Sequence, residues 1–95
     1  MTVHLVFIEV EGAKDAFGAP KFDFVMKGQT VSELITELMG ERGTATQEVF
    51  FRDGRYNDNL QIIVNWRAYV LPDKRNDFTL SEGDTVIFAP YVGGG

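Results

Sequence analysis

The sequence predicts an α+β protein in which a sheet wraps around one main helix. Three patterns in the 95 residues indicate this: two apolar, strand-like runs near the N-terminus, a helical stripe after them, and two β-branched runs toward the C-terminus. A hairpin followed by a helix and then by further strands fits one sheet layer packed on one helix layer. The length allows one domain with one core, and eight phenylalanines would supply most of its apolar mass.

Two strands and a connecting turn are predicted first. From Val3 to Glu11, apolar residues fall on both faces, which is typical of a strand inside a sheet with one face against a helix. The segment Gly12 to Pro20 is rich in glycine and proline, so it predicts a turn rather than an element. Lys21 to Met26 alternates apolar and polar residues, the pattern of a half-buried strand. Together these segments predict a hairpin.

The main helix has a clear beginning. Thr30 and Glu33 have the spacing of a capping box, in which each side chain satisfies the other residue's backbone N–H. An apolar stripe at helical spacing follows, formed by Val31, Leu34, Ile35 and Leu38. Either Gly40 or Gly43 can end the helix with a left-handed cap.

The next part of the sequence is the least regular. Thr44 to Asn59 shows no clear period, although Asp53-Gly54 is typical of a turn. Gln61 to Asn65 is β-branched and apolar, which predicts a strand, with a turn or bulge at Asn65-Trp66-Arg67.

A final strand is predicted close to the C-terminus. After a charged loop over Leu71 to Asp77, the tight turn Ser81 to Asp84 contains Gly83, which can adopt positive φ. The strand Thr85 to Ala89 follows, and Pro90 ends it because proline cannot donate to a ladder.

Composition excludes several function classes. The net charge is −5, with 14 acidic against 9 basic residues, which argues against a nucleic-acid binder. Without cysteine there is no disulfide, thiolate nucleophile or Cys-based metal site, and the single histidine, His4, is better explained as a strand residue than as a metal ligand. The sequence predicts no secretory signal and no membrane-spanning segment, so we expect a cytoplasmic protein.

Several motifs occur in a fixed order. They are the helix opening Thr30-Val31 with Leu34 and Leu38, the strand end Val64-Asn65, the turn Gly83-Asp84-Thr85-Val86, the stretch Phe88-Ala89-Pro90-Tyr91-Val92, and the terminal Gly93-Gly94-Gly95. In this combination the sequence resembles the prokaryotic ubiquitin-like sulfur carriers (the MoaD/ThiS family), and most closely the small subunit of molybdopterin synthase. Tyr91 stands where a second proline is usual, Gly93 replaces a common alanine, and the 43–59 segment is longer than in the shortest carriers.

The resemblance implies a β-grasp (ubiquitin-like) fold, with a mixed sheet of four to five strands on one main helix. It implies a domain over residues 1–90 and a flexible tail over residues 91–95. It also implies that an E1-like adenylyltransferase uses ATP to adenylate the Gly95 carboxylate, and that a sulfur donor then displaces AMP to leave a thiocarboxylate. Such a protein is a cosubstrate or a non-catalytic subunit with no bound cofactor, and the molybdopterin synthase large subunit is a possible partner.

The candidate site residues lie at the C-terminus. Gly95 and Gly94 would carry the chemistry, because residues without Cβ can enter a narrow channel in another protein. The residues predicted to bind a partner are Phe88, Pro90, Tyr91, Val92 and Gly93. Phe88 could equally be a core residue, and the acids Glu82 and Asp84 are better explained by the turn than by steering of a partner.

Other groups of residues allow weaker interpretations. Asp53, Asn57 and Asp58 lack the spacing of a calcium loop. Trp66 and Tyr69 could form a small binding platform, although packing against a sheet is the commoner arrangement.

Three functions remain open. A sulfur carrier for molybdopterin synthesis is favoured, with thiamine, tRNA or cysteine sulfur transfer as variants. A protein modifier would join the same activated Gly95 to lysine amines. A plain interaction module would use the fold without C-terminal activation.

Overall fold

The computed structural model describes residues 1–91, apart from the Arg42 side chain. It has a five-stranded sheet, a two-stranded sheet, three α-helices and a short 3₁₀ helix over Pro72–Lys74. The strands are β1 (Thr2–Phe7), β2 (Lys21–Val25), β3 (Phe51–Arg52), β4 (Arg55–Tyr56), β5 (Leu60–Val64), β6 (Ala68–Tyr69) and β7 (Thr85–Pro90). The α-helices are α1 (Ala13–Phe17), α2 (Val31–Arg42) and α3 (Thr44–Phe50).

The main sheet is mixed, with the strand order β2-β1-β7-β5-β6. The final strand β7 lies in its centre, parallel to β1 and antiparallel to β5. The first hairpin is antiparallel and aligns Leu5 with Phe22. This sheet packed on a main helix is the predicted β-grasp fold, and the α+β prediction is confirmed.

The core lies between the main sheet and α2. The helix contributes its predicted stripe, and each of Val31, Leu34, Ile35 and Leu38 is at most 1% exposed. The sheet contributes alternate residues of β1, among them Val3, Leu5 and Phe7. The period of 3.6 in the helix and of 2 in β2 therefore identified the buried faces of those elements correctly, whereas β1 has apolar residues on both faces.

Two glutamates of α2 hold the loop before it. The predicted capping box is present, with Thr30 Oγ1 accepting the Glu33 N–H at 3.1 Å. Glu37 accepts the backbone N–H groups of Lys27 and Gly28, both at 2.7 Å. The helix ends at Arg42 and Gly43 caps it with φ 82° and ψ −163°, outside the left-handed helical region that was predicted.

The Glu33 carboxylate makes the stability of the fold depend on pH. Hydrogen bonds from the backbone of Gln29 and Thr30 hold the pKa of Glu33 below its ordinary value of 4.5. A carboxyl group with a lowered pKa stabilises the fold above its unfolded pKa, and this contribution is lost as the pH falls through the folded pKa.

Glu33→Gln is therefore expected to lower the melting temperature at neutral pH, and the difference from the wild type should shrink below a pH of about 4. Thermal unfolding followed by circular dichroism at both pH values measures this. Glu41→Gln makes the same charge change at another exposed position of α2 and is the control. A difference that stays constant over this pH range would contradict the assignment.

Two predictions about the first hairpin need correction. The segment between β1 and β2 contains the short helix α1, where only a turn was expected. It starts after Gly12 and ends before Gly18, and both glycines have positive φ. In addition, β1 ends at Phe7 rather than at Glu11, because the chain turns with Glu9 at φ 49°.

The segment from Thr44 to Asn59 is more regular than its sequence suggested. It forms α3 and then a small hairpin of β3 and β4 around the predicted turn at Asp53-Gly54. The Phe51 and Tyr56 rings stack across this hairpin with their centres 4.7 Å apart. The charged loop after β6 likewise contains the 3₁₀ helix.

Candidate functional site: the base of the C-terminal tail

The chain is held in place as far as Tyr91. Pro90 pairs with Leu60 at the end of the β5–β7 ladder. The Tyr91 N–H donates to the Asn59 carbonyl at 3.1 Å, and Gln61 Nε2 donates to the Pro90 carbonyl at 3.1 Å. We call these two hydrogen bonds the tail clamp. They fix the position of Tyr91, the last described residue.

Phe88 is a core residue, which corrects its prediction as a partner-binding residue. Its side chain is 0% exposed, so no partner can contact it. Its ring stacks on Phe7 at 4.7 Å and meets the edge of Phe50 at 5.3 Å. The core alternative for this residue was therefore the right one.

The other candidate residues divide at the end of the described chain. Pro90 is half-buried in the ladder, and Tyr91 is 53% exposed, so Tyr91 is open to a partner. Val92, Gly93, Gly94 and Gly95 lie outside the described residues, and their roles stay predictions, as does the boundary between domain and tail.

The acids before β7 serve the turn. Asp84 accepts the Ser81 N–H at 2.8 Å and the Asn65 side chain at 3.0 Å. Glu82 accepts the Thr2 N–H at 2.9 Å, and Gly83 has the expected positive φ of 83°. These contacts confirm the turn interpretation.

An apolar row crosses the outer face of the sheet, opposite the helices. Paired positions place Val6 beside Ile87, Ile87 beside Ile63, and Ile63 beside Tyr69. Ile87 is 0% exposed although its neighbours in β7, Val86 and Phe88, are the ones that face the helical core. We call Val6, Ile63, Tyr69 and Ile87 the outer row. The one sequence pattern that pointed to this row was the presence of apolar residues on both faces of β1.

Trp66 and Tyr69 bury little of their side chains against the sheet, although packing there was the preferred interpretation. They are 63% and 66% exposed. Trp66 lies in the turn between β5 and β6, where it and Asn65 have φ values of 59° and 55°. Positive φ is unusual for a large side chain, and here it turns the chain so that Trp66 extends from the end of the sheet into solvent.

Arg75 is a buried residue that sequence reasoning missed. It is only 3% exposed, and its guanidinium carbon lies 4.2 Å from the centre of the Tyr56 ring. Burial lowers the pKa of the Arg75 guanidinium, while interactions with Tyr56 and then Asp58 oppose that change. Its backbone carbonyl also accepts the Ser32 N–H at the start of α2. Arg75 thus joins the loop after β6 to the β3–β4 hairpin and to the start of α2.

Asn57, one of the three loop residues that lack the spacing of a calcium site, forms hydrogen bonds with backbone groups. Its side chain donates to the Val49 carbonyl at 3.3 Å and accepts the Asn59 N–H at 3.1 Å. Over residues 1–91, no three acidic, histidine or cysteine side chains come together in a way that could hold a metal ion.

The family follows from a comparison with protein-family models. The model of the ThiS family matches residues 14–95, which is most of the chain. The protein belongs to the ThiS family. The match includes the final strand, the tail clamp and the terminal glycines, and it agrees with the resemblance to ubiquitin-like sulfur carriers seen in the sequence motifs.

Solved structures share the fold of this ThiS-family protein. SAMP1 from Haloferax volcanii is 18% identical with a TM-score of 0.69, and each chain is covered over 100% of its length. A chain of the Amycolatopsis orientalis BexX/CysO complex is 20% identical with a TM-score of 0.70, covering 98% of this chain and 99% of its own. A putative molybdopterin converting factor, subunit 1, from Pyrococcus furiosus is 21% identical with a TM-score of 0.66, covering 97% and 99%.

These identities are low enough that the likeness shows the fold alone. A search of curated proteins returned no match. Within residues 1–91, no helix is both long and apolar enough to cross a membrane.

Proposed function

We propose that this protein is a sulfur carrier whose Gly95 carboxylate is adenylated and then converted to a thiocarboxylate. The observation that carries the proposal is the ThiS-family match, which runs through the terminal glycines. The geometry supports it, because the tail clamp holds the end of the central strand at the exposed Tyr91, four residues before Gly95.

The proposed reaction has two steps, both in the active site of an E1-like adenylyltransferase. First, a Gly95 carboxylate oxygen attacks the α-phosphorus of ATP and pyrophosphate leaves, which forms an acyl-adenylate. Second, a sulfur nucleophile at the oxidation level of hydrosulfide attacks the acyl carbon and AMP leaves with its electron pair. The carrier supplies the acyl group, and its partner supplies the ATP site. The use of ATP suits a cytoplasmic protein.

The outer row is the surface that we assign to the activating partner. Because Ile87 is fully buried, a partner would contact the partly buried Val6 and Ile63, the exposed Tyr69 at the end of the row and Trp66 in the adjoining turn. Aromatic residues contribute strongly to interfaces, because they bury a large area with few rotatable bonds. Docking there would hold the domain while the tail enters the active site.

For the sulfur acceptor, we propose molybdopterin synthesis, with the large subunit of a molybdopterin synthase as the second partner. The stretch Phe88 to Val92 supports this assignment through its resemblance to the family's small subunit. The Pyrococcus furiosus neighbour, itself named a putative molybdopterin converting factor, has the same fold. Thiamine, tRNA and cysteine sulfur transfer are the alternatives.

The function is tested by incubating the full chain with an E1-like enzyme, Mg-ATP and sulfide. We expect the intact mass to rise by the difference between one sulfur and one oxygen atom, and to do so only when ATP is present. An unchanged mass with an enzyme that activates a known ThiS-family carrier in parallel would contradict the proposal.

Protein modification is the second candidate, because two neighbours are structures of proteins named small archaeal modifiers. Both functions need the same adenylate, so they differ only in the nucleophile that attacks it. A ladder of conjugates in cells that express a tagged chain would favour modification, and a thiocarboxylate without conjugates would favour sulfur transfer.

A further inference from the structure

We infer that Asn57 is a positioning residue for the reaction at Gly95. It holds the 57–59 loop so that the Asn59 carbonyl accepts the Tyr91 N–H, and it thereby fixes the position of Tyr91, four residues before Gly95. The inference rests on the proposed activation of Gly95 and gives a role to the segment from Thr44 to Asn59, which the sequence had left unexplained.

The last described residue, Tyr91, is held by a backbone contact to Asn59. The Asn59 carbonyl accepts the Tyr91 N–H at 3.1 Å, one residue beyond the end of β7. Asn59 does not belong to a strand, since β5 starts at Leu60. The position of this acceptor therefore depends on whatever holds the loop before β5.

Asn57 is what holds that loop. Its side-chain oxygen accepts the Asn59 N–H at 3.1 Å, and its backbone carbonyl accepts the Leu60 N–H at 3.0 Å. Both contacts draw the residues after Asn57 into a tight turn, in the manner of an Asx turn. An asparagine suits this position because one side chain provides both an acceptor and a donor.

The other contacts of Asn57 attach the loop to the end of α3. Its backbone N–H donates to the Phe50 carbonyl at 2.8 Å, and its side-chain amide donates to the Val49 carbonyl at 3.3 Å. Val49 and Phe50 are each only 1% exposed, so their positions are fixed by the core. The Phe50 ring also meets Phe88 of β7. The tail base is thus connected to the core through α3 as well as through β7.

The reach of the tail explains why its starting point would matter. Four residues follow Tyr91, and an extended chain spans at most ~3.6 Å per residue, so Gly95 can lie no more than about 14 Å from Tyr91. Because this reach is short, a displaced or mobile Tyr91 would move the Gly95 carboxylate away from the α-phosphate of ATP in most complexes with the activating enzyme. Docking itself uses the outer row, which Asn57 does not belong to.

These contacts predict a specific kinetic pattern. When Asn57→Ala removes the side-chain bonds to Asn59 and Val49, we expect kcat for activation to fall by about threefold to tenfold, the range for loss of ordinary hydrogen bonds, with KM little changed. Gln61→Leu removes the hydrogen bond from Gln61 to the Pro90 carbonyl while leaving Asn57 intact, and it should lower kcat in the same way. Asn76→Ala, at an exposed asparagine in the loop after the 3₁₀ helix, is the matched control and should behave like the wild type.

Amide hydrogen exchange separates positioning from simple stability. In Asn57→Ala and Gln61→Leu we expect faster exchange at Tyr91, while Ile63, which pairs with Ile87 in the β5–β7 ladder, keeps its wild-type protection. Faster exchange throughout the sheet, with kcat falling only as the folded fraction falls, would reduce Asn57 to a structural residue and overturn the inference. Unchanged kcat in both variants would overturn it as well.

A failure of the proposed function would look different. In that case the wild-type chain itself would not be activated. If only this inference fails, the wild-type chain is activated normally. The exchange of Tyr91 would still decide whether Asn57 holds the tail base. Wild-type exchange at Tyr91 in both variants would show that it does not.

Discussion

Removal of Gly94 and Gly95 is expected to abolish activation completely while leaving the domain folded. Beyond Tyr91 the full chain extends at most about 14 Å, and loss of two residues halves that reach and removes the reacting carboxylate from its position. The core and the tail clamp are formed by residues that the deletion leaves in place, so we expect both to persist. Intact mass after incubation with the activating enzyme, Mg-ATP and sulfide measures the loss.

The control for this deletion is the thermal unfolding curve of the shortened chain. We expect it to overlay that of the wild type. A shortened chain that gains the same mass as the full chain would show that the C-terminal carboxylate is not the site. A shortened chain that unfolds at a clearly lower temperature would show that the tail belongs to the folded domain.

Phe88→Ala is expected to have the largest effect on stability. Phe88 is fully buried in the central strand and contacts the rings of Phe7 and Phe50. Truncation of a buried phenylalanine costs about 3–5 kcal/mol, because it removes transfer free energy and leaves a cavity. A small domain has about 5–15 kcal/mol of stability in all, so this variant should be close to unfolding. Urea unfolding followed by circular dichroism measures the loss.

An exposed apolar residue of the same sheet provides the comparison. Val25 of β2 is 71% exposed, and Val25→Ala should change the free energy of unfolding by well under about 1 kcal/mol. A Phe88→Ala variant that unfolds like the wild type and yet loses activation would contradict the core assignment. It would restore Phe88 as a partner-binding residue.

The sequence predicted those parts of the fold that have a strong local period. The stripe of α2 and the alternation in β2 each mark a buried face, so one residue pattern fixes both the element and its orientation. The helix α3 lacks such a pattern, because its strongly apolar buried residues, Val49 and Phe50, are adjacent at its end. Its N-cap residue is Gly43, which has no side chain that could accept a hydrogen bond from the first turn. Packing on α1 and α2 therefore has to stabilise this helix.

The candidate site was predictable in its chemistry but not in its surroundings. The terminal glycines form a linear motif, which can be recognised in a sequence without knowledge of the fold. The outer row exists only because β7 pairs with β1 on one side and with β5 on the other, which brings Val6, Ile87 and Ile63 together from distant parts of the chain. Asn57 was equally hidden, because its partners are backbone groups that carry no residue-specific signal.

The most direct measurement is tandem mass spectrometry of the C-terminal peptide after the full chain has reacted with its activating enzyme, ATP and sulfide. Sulfur is expected to replace oxygen on Gly95 and on no other residue of the chain. A C-terminal peptide of unchanged mass, or sulfur found elsewhere in the chain, would contradict it.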